Sequence, residues 1–600
     1  MLINLLKIIH HWLTASADRK GKTRFWLALS WLCALVYPIA ALKQAFASEY
    51  IISDDARQHV FWLYRYLDGD LFPNDLIADY FQSVAPAGYT LFYRSFAALG
   101  IEPLLLAKLL PIALASIATL YCFGLCLQLF PIPAAGFVAS FLFNQNLWMR
   151  DDLASGTPRA FLNPIFLAFL YYLVRRQLIP VIATIVLLGL FYPQYVLVAS
   201  GILVLFPLTT DIEIDTKERR TLLGNESILL PDFLSSILTR KKNAIALLFA
   251  FLILLPYALK TSDFGPVIDV ETAKQLPEFL PGGRVRFFYD DFGRFWLSGG
   301  RSGLQPALDP PLLCAGLLLP FLLAWKRRFP LLLQTRSSSR ILLDLTLSSL
   351  FWFFAAHAFL FKLHLPSRYT QHSLRIVFSL AAAIALLSVL DAVLKWAISR
   401  QENAAISRIV ALSLTTLIVH QLFFYQLSLD NFPKTSYIVG TTPEVYQFFA
   451  QQPPESLVAS LSVEANNLPS FARRSILVGD EYAIPYHWGY YQQFQTRSRD
   501  LVVAQYSSNL AEVQDFIQRY GVDFWLLDRG WLSPEYADNS DWIERYDRTV
   551  EDRLKKGDQP ALTKMRDRCT IFESEAAIVL DANCILNSEI EPDARSHRLD

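Results

Sequence analysis

No Lys/Arg-dense tract interrupts these 600 residues, and 54 basic side chains against 54 acidic ones leave no formal net charge. Electrostatic recruitment of a nucleic acid therefore has nothing to act through. Cysteine is scarce at six. Cys33, Cys122, Cys126 and Cys314 fall inside apolar runs, where a thiol behaves as a small apolar side chain. Cys569 and Cys584 lie in the polar C-terminal stretch and could bridge if that stretch faces an oxidising compartment. There is no Cys/His spacing of a metal site, no Walker-type glycine loop and no nucleophile elbow; Gly299-Gly300-Arg301-Ser302-Gly303 is only a flexible loop. Internal repeats and low-complexity segments are also missing.

Charged residues make up 18% of the chain and hydrophobic ones 53%, too apolar at this length for one soluble core. The fold class expected is a polytopic α-helical membrane protein with a C-terminal α/β domain. Eleven apolar runs read as spans, at 25–47, 104–130, 134–148, 161–174, 178–192, 194–208, 243–259, 309–325, 340–361, 376–395 and 406–427. Residues 1–24 carry Lys7, Arg19, Lys20, Lys22 and Arg24 and no small-residue cleavage site, so the first helix reads as retained. Arg175-Arg176, Lys217, Arg219 and Arg220 with Arg240-Lys241-Lys242, Lys326-Arg327-Arg328 with Arg336 and Arg340, and Lys395, Arg400 and Arg408 all fall on the side of that N-terminus. The positive-inside bias makes this side cytoplasmic. Loops 48–103, 149–160, 260–308 and 362–375 then lie on the other face, together with the tail from residue 429 to residue 600.

In the first outer loop, Ala56, Val60, Leu63, Tyr64 and Leu67 recur at helical spacing, with Arg57, Gln58, Arg65 and Asp68 off that face and Trp62 and Tyr66 suited to headgroup depth. The spacing predicts a helix along the membrane surface. In the tail, Ser475–Val478, Leu501–Ala504 and Asp523–Leu527 read as strands, and Leu510–Tyr520 as a helix capped by Gly521. A charged helix from Trp542 to Lys556 and a Cys-bounded hairpin complete the tail.

Three Asp-Asp pairs follow closely on the outward ends of apolar spans: Asp54-Asp55, Asp151-Asp152 and Asp290-Asp291. An aspartate just past a span can take the proton of a nucleophile presented at the bilayer surface. Asp54 and Asp55 are thus candidate catalytic bases, Asp54 the preferred one; the ordinary alternative is helix capping by Ser53 or Asp54. Asp151 and Asp152 could offer oxygens to a divalent cation such as Mg or Mn, and Arg159 in the same loop is a candidate substrate contact. Asp290-Asp291 reads as a solvated loop.

The segment 362–375 is basic on the outward side, against the positive-inside trend. Arg368, His372 and Arg375 at i, i+4 and i+7 share a helix face, and an arginine there could grip a lipid-borne phosphate through paired N–H donors. Arg368, Tyr369 and His372 are therefore substrate-binding candidates. His59 joins them, although a lone histidine beside aromatics is ordinarily structural. Pairing with carboxylates or lipid headgroups is the competing account of Arg368.

With Ser53-Asp54-Asp55 after the first span, a long first outer loop, a second acidic pair after the third span and an outward tail, the chain resembles the GT-C-fold membrane glycosyltransferases. Pro469-Ser470-Phe471-Ala472-Arg473-Arg474, Pro485-Tyr486-His487-Trp488-Gly489-Tyr490-Tyr491 and Tyr520-Gly521-Val522-Asp523-Phe524 are similar to uncharacterised bacterial, often cyanobacterial, members. The resemblance implies an inverting glycosyltransferase of the bacterial inner membrane, with a cytoplasmic N-terminus and a periplasmic C-terminal domain. Its donor would be a polyprenyl-phosphate-linked sugar and its acceptor a lipid, glycan or protein, with an aspartate of the first outer loop as base. Many such enzymes need no metal, so the Asp151-Asp152 site is optional. The missing Trp-Trp-Asp tripeptide argues against transfer of a preassembled glycan to asparagine. A non-catalytic assembly or lipid-handling relative and a glycan transporter are the alternatives; for the latter, Lys108 and Asp344 are the only notable mid-span charges.

Overall fold

The computed structural model describes residues 2–207, 230–306, 308–400 and 404–589. The basic residues Lys217, Arg219 and Arg220 used in the sidedness argument, and the last residues of the tail, lie outside the described residues. Each of the eleven apolar runs overlaps a helix among the described residues. Among the described residues, six helices are long and apolar enough to cross a membrane: Lys20–Ala45, Pro103–Leu129, Arg240–Leu259, Ser337–Ala358, Ser367–Ser399 and Ala405–Ser428. Pro158–Val174, Leu178–Phe191, Gln194–Pro207 and Pro311–Ala324 are apolar but shorter. The last begins as a tight 3-10 turn over Pro311–Leu318 before becoming α-helical at Leu319.

Ser367–Ser399 is the central rod, packed against Pro133–Trp148, Pro311–Leu318, Ile341–Ala358 and Ala404–Phe424. Its buried stripe is built from small residues, among them Ser379, Ala381, Ala382, Ala383, Ala385 and Ser388. Small side chains let neighbouring backbones approach closely where hydrophobic exclusion no longer discriminates between lipid and protein. The N-terminal segment ahead of the first long helix forms a helix of its own over Leu2–Leu13. Leu6 packs on Leu394, Ala397 and Ala411, and His10 Nε2 lies 2.8 Å from Asp391 Oδ1.

The first outer loop differs from the surface helix expected. Ala56–His59 is a single α-turn, followed by a 3-10 helix over Phe61–Tyr66. Trp62 is fully buried and Arg57 and Gln58 are buried too, so the polar face expected at residues 57 and 58 is covered, and exposure begins only at Leu67. The tail covers it. Tyr482 meets Phe61 edge-on at 5.7 Å, and the Arg473 guanidinium lies 4.3 Å from the Tyr64 ring.

Strand β1 (Ile51–Ser53) pairs antiparallel with β2 (Tyr437–Val439), which opens the tail. Five further strands, β3 (Leu457–Ser460), β4 (Ser475–Ile476), β5 (Phe524–Asp528), β6 (Thr570–Glu573) and β7 (Ala577–Asp581), form one sheet in the order β4-β3-β5-β7-β6. β4 and β5 flank β3 in parallel, whereas β7 pairs antiparallel with both β5 and β6. Helix Leu510–Tyr520 ends on Gly521 at φ 65°, the left-handed cap its sequence suggested. Leu501–Ala504 is not a strand. It is the last turn of helix Trp488–Tyr506, whose buried Tyr490, Phe494, Ser498, Leu501 and Gln505 keep helical spacing. The charged helix is likewise two short ones, Asp541–Tyr546 and Val550–Lys555. Cys569 and Cys584 are disulfide-bonded and bracket the β6–β7 hairpin.

Candidate functional site

Strand β1 ends where the first acidic pair begins. The Asp54 N–H donates to the Ser436 carbonyl at 2.9 Å, so the ribbon fixes where Asp54 and Asp55 leave the sheet. Asp55 occupies the N-cap position of Ala56–His59, but its side chain makes no capping hydrogen bond. Neither Ser53 nor Asp54 occupies that position, so the capping account does not explain the pair.

The two carboxylates turn into different networks. Asp54 pairs with Arg57 three residues on. Arg57 Nη2 also contacts Glu481 Oε2 at 2.5 Å, and its Nη1 donates to Asn467 Oδ1 at 3.2 Å. Glu481 is further held by Arg284 and by Gln58, whose Nε2 donates to Oε1 at 2.6 Å. Asn467 and Glu481 lie on turns that follow the carboxyl ends of β3 and β4, the edge of a parallel sheet where ligand-facing loops gather. Arg57 with Gln58, and Arg284, two segments distant from Glu481 in sequence, thus converge on it.

Asp55 joins the second acidic pair through Arg159. Arg159 Nη2 lies 2.8 Å from Asp55 Oδ2 and 3.3 Å from Asp151 Oδ1, while its Nε lies 3.1 Å from Asp152 Oδ1. Asp152 is sealed off by Arg375, Nη2 to Oδ2 2.7 Å, and Arg375 Nε donates to Asn146 Oδ1 at 2.6 Å. The loop that carries Asp151, Asp152 and Arg159 is clamped onto the first one. The Tyr89 hydroxyl bonds the Gly156 carbonyl at 2.7 Å and the His59 carbonyl at 3.1 Å. Gly156 has φ +66°, and a Cβ there would stand 3.0 to 3.1 Å from Val60 and Ala56, so both conformation and space call for glycine.

These surroundings separate the carboxyls electrostatically. Burial raises Asp55, but the arginines around it, Arg159 foremost with Arg368 and Arg284, outweigh it and hold the group below the ordinary carboxylate range. Asp151 is raised, by burial first and then by Asp55 and Asp152, against the pull of Arg159. Asp152 is lowered, because Arg375, Arg159, His372 and Arg150 overcome its burial. His59 is pushed down to about 4 by burial, so it stands neutral beside Asp55. Neighbouring carboxyls driven in opposite directions are the usual substrate of acid and base division.

Of the remaining candidates, Arg368 begins the central helix, where Nη1 donates to Gln371 Oε1 at 3.2 Å; among the described residues no carboxylate lies within salt-bridge reach of it. It stands one helical turn before His372, on the helix face turned toward Asp152. His372 Nδ1 is 4.0 Å from Asp152 Oδ2. The Tyr369 hydroxyl donates to the Leu363 carbonyl and braces the turn before the helix. Asp290-Asp291 stays outside, with Asp291 accepting from the Arg294 N–H in an exposed turn. No group of three or more His, Cys, Asp or Glu side chains among the described residues is arranged to hold a metal ion. Around Asp152 the oxygens face guanidinium nitrogens instead. Arg57, Arg284 and Glu481 were not foreseen. Only Arg375, on the face shared with Arg368 and His372, carried a signal in the sequence.

No family model matches the chain, and no curated protein does. Solved structures do match. The oligosaccharyltransferase of Archaeoglobus fulgidus, tethered to an acceptor peptide with an NVT sequon, aligns with a TM-score of 0.50 at 13% identity, over 89% of this chain and 72% of its own. The chain shares the fold of that archaeal protein, a GT-C fold. Two further structures of that archaeal GT-C protein align at 12% identity. One is in complex with an inhibitory peptide and a dolichol-phosphate, with a TM-score of 0.49 over 92% of this chain and 73% of its own. The other is in complex with Zn and sulfate, with a TM-score of 0.47 over 88% and 70%. The GT-C likeness spans both the helical bundle and the tail of this chain, and at such identities it describes the fold alone.

Proposed function

We propose that the chain is an inverting glycosyltransferase that moves a sugar from a polyprenyl-phosphate donor to an acceptor at the outward face of a bacterial inner membrane. The observation that carries this reading is the meeting of Asp55, Asp151 and Arg159 beside Arg368, with Asp55 held ionised. An acceptor hydroxyl or amide would attack the anomeric carbon and lose its proton to Asp55. The bond from that carbon to the phosphate oxygen breaks, the electron pair leaves with the lipid phosphate, and a single displacement inverts the anomeric centre. Arg368, free of a carboxylate partner, supplies a forked cation for the departing phosphate. His59 stands beside Asp55, Tyr369 and His372 back the start of the central helix behind Arg368, and Arg159 bridges the carboxylates. Where a divalent cation is used, Asp151 is the carboxylate with an oxygen to spare.

The accompanying topology has eleven spans, a cytoplasmic N-terminus and residues 429–600 outside. A reporter enzyme active only outside the cytoplasm should work when fused after residue 435 and fail when fused between residues 326 and 340. The reversed pattern would put the site on the wrong face. Function is tested with purified protein in proteoliposomes containing polyprenyl-phosphate-linked hexoses, following release of polyprenyl phosphate. Release that wild type catalyses and Asp55→Asn does not supports the reading. Equal release by both would remove Asp55 from the chemistry.

A further inference from the structure

The segment that runs from Tyr289 to Gln305 has two unlike ends. Its far end is fastened beside the acidic site. Ser367 Oγ donates to the Gly300 carbonyl at 3.0 Å, the Ser367 N–H donates to the Arg301 carbonyl at 3.2 Å, and Gln305 is bonded by Arg150. The fold of the segment is internally closed. Leu304 N–H donates to the Trp296 carbonyl at 2.8 Å, Gln305 N–H to the Leu297 carbonyl at 3.0 Å, and Ser302 Oγ to the Phe295 carbonyl at 2.8 Å.

At the near end the apolar side chains point away from the protein. Phe292 is 77% exposed and Leu297 57%, a cost with no return if water covers them. Trp296 lies between them and the bundle. Its ring centroid is 4.6 Å from His357 and 6.3 Å from both Phe353 and Phe354, at the end of the membrane-length helix that runs to Ala358. That helix shows Phe351 and Phe354 on its outer surface, and Phe359 just beyond is exposed as well. The greasy face of the segment is therefore continuous with a surface that only acyl chains can cover. Behind it, Arg286 and Arg294 stack on the Tyr289 ring at 5.1 and 5.3 Å, and Asp290 and Asp291 are exposed. Aromatic rings flanked by arginines suit the headgroup layer, where the ring is half solvated and the cation meets lipid phosphate.

We propose that Tyr289–Leu297 is seated in the lipid leaflet, with Phe292 and Leu297 among the acyl chains and Tyr289, Arg286 and Arg294 at headgroup depth. The same segment holds Arg301 and Gln305 against the site at its other end, so the lipid boundary and the acidic site are joined by one short, internally bonded stretch of chain. This assignment does not depend on the reaction catalysed.

The test uses protein in lipid nanodiscs with Cys33, Cys122, Cys126 and Cys314 replaced by alanine, carrying a nitroxide at Phe292→Cys, Leu297→Cys, Phe351→Cys or Lys274→Cys. Phe351 reports the outer surface of the span and Lys274 an exposed position in the same loop. The proposal expects labels at 292 and 297 to favour collisions with oxygen over a water-soluble nickel chelate, as the label at 351 does and the label at 274 does not. Nickel access at 292 and 297 equal to that at 274 would overturn it by showing water. Protection from both reagents would overturn it by showing a protein cover, and a label at 351 that reads as aqueous would remove the bilayer from this face altogether. All four labelled positions are exposed, and a thermal unfolding trace matching the unlabelled protein shows that each variant is folded.

Discussion

Asp55 and Asp152 answer to one guanidinium, that of Arg159, in opposite circumstances. Asp152 is 1% exposed and carries a second arginine, Arg375, from the central helix, while a third of the Asp55 side chain is open. The sealed pair is bound into the bundle. A buried ion pair of this kind is seldom a net gain over packed apolar groups, yet removing one partner strands the other and is costly. The open carboxylate keeps a face for a substrate. Under the proposed function, identical residues a short distance apart would serve assembly in one case and chemistry in the other, and what divides them is how many cations each already has.

That contrast is broken most sharply at Arg375. Arg375→Ala leaves Asp152 buried without its main cation and should cost about 3–5 kcal/mol of stability, read as a fall in the thermal midpoint of the purified protein. A midpoint close to wild type would mean that Asp152 is not sealed. Asp55→Asn should leave that midpoint nearly unchanged and lower transfer by about a hundredfold or more, the usual contribution of a general base. Asp54→Asn separates the neighbours: retained transfer confines the chemistry to Asp55, whereas loss in Asp54→Asn alone would shift it to the acid tied to Arg57 and Glu481.

Acid titration sharpens the same difference. Since the folded protein holds the Asp152 carboxyl below its ordinary value, its stabilisation is complete above an unfolded pKa of about 4 and fades only as pH falls through the folded value. Asp152→Asn should therefore be less stable than wild type at neutral pH, with the gap narrowing below about pH 4; a gap independent of pH would disprove the ionic account. The smallest effect expected is that of Arg368→Lys, a loss of about tenfold in apparent donor affinity, equivalent to one charge-assisted hydrogen bond. Donor titrations that superimpose on wild type would leave Arg368 as a headgroup contact.

The helical bundle was legible because apolar composition leaves a mark in each run, and the first two acidic pairs because each closely follows such a run. Within a short window the reading failed where geometry is ambiguous. Leu501–Ala504 is apolar over a few residues, which strand and buried helix share, and only the flanking Tyr490, Phe494, Ser498 and Gln505 show the helical period. The first outer loop misled for a different reason. Its periodicity is real, but the tail that covers its other face is remote in sequence, and Glu481 meets Arg57 across 424 positions. No local pattern marks such a partner.

The pairing of β1 with β2 has a consequence for anyone who would cut this protein in two. The strand that introduces Asp54 is completed by residues that come after the last membrane-length helix, so the polypeptide closes on itself like a clasp around the bundle. Trimming the tail at residue 429 would remove Tyr437–Val439 along with Glu481 and Asn467 and leave Ile51–Ser53 a lone edge with unmet amides. The smallest piece that keeps the acids in place is the chain fastened at both ends.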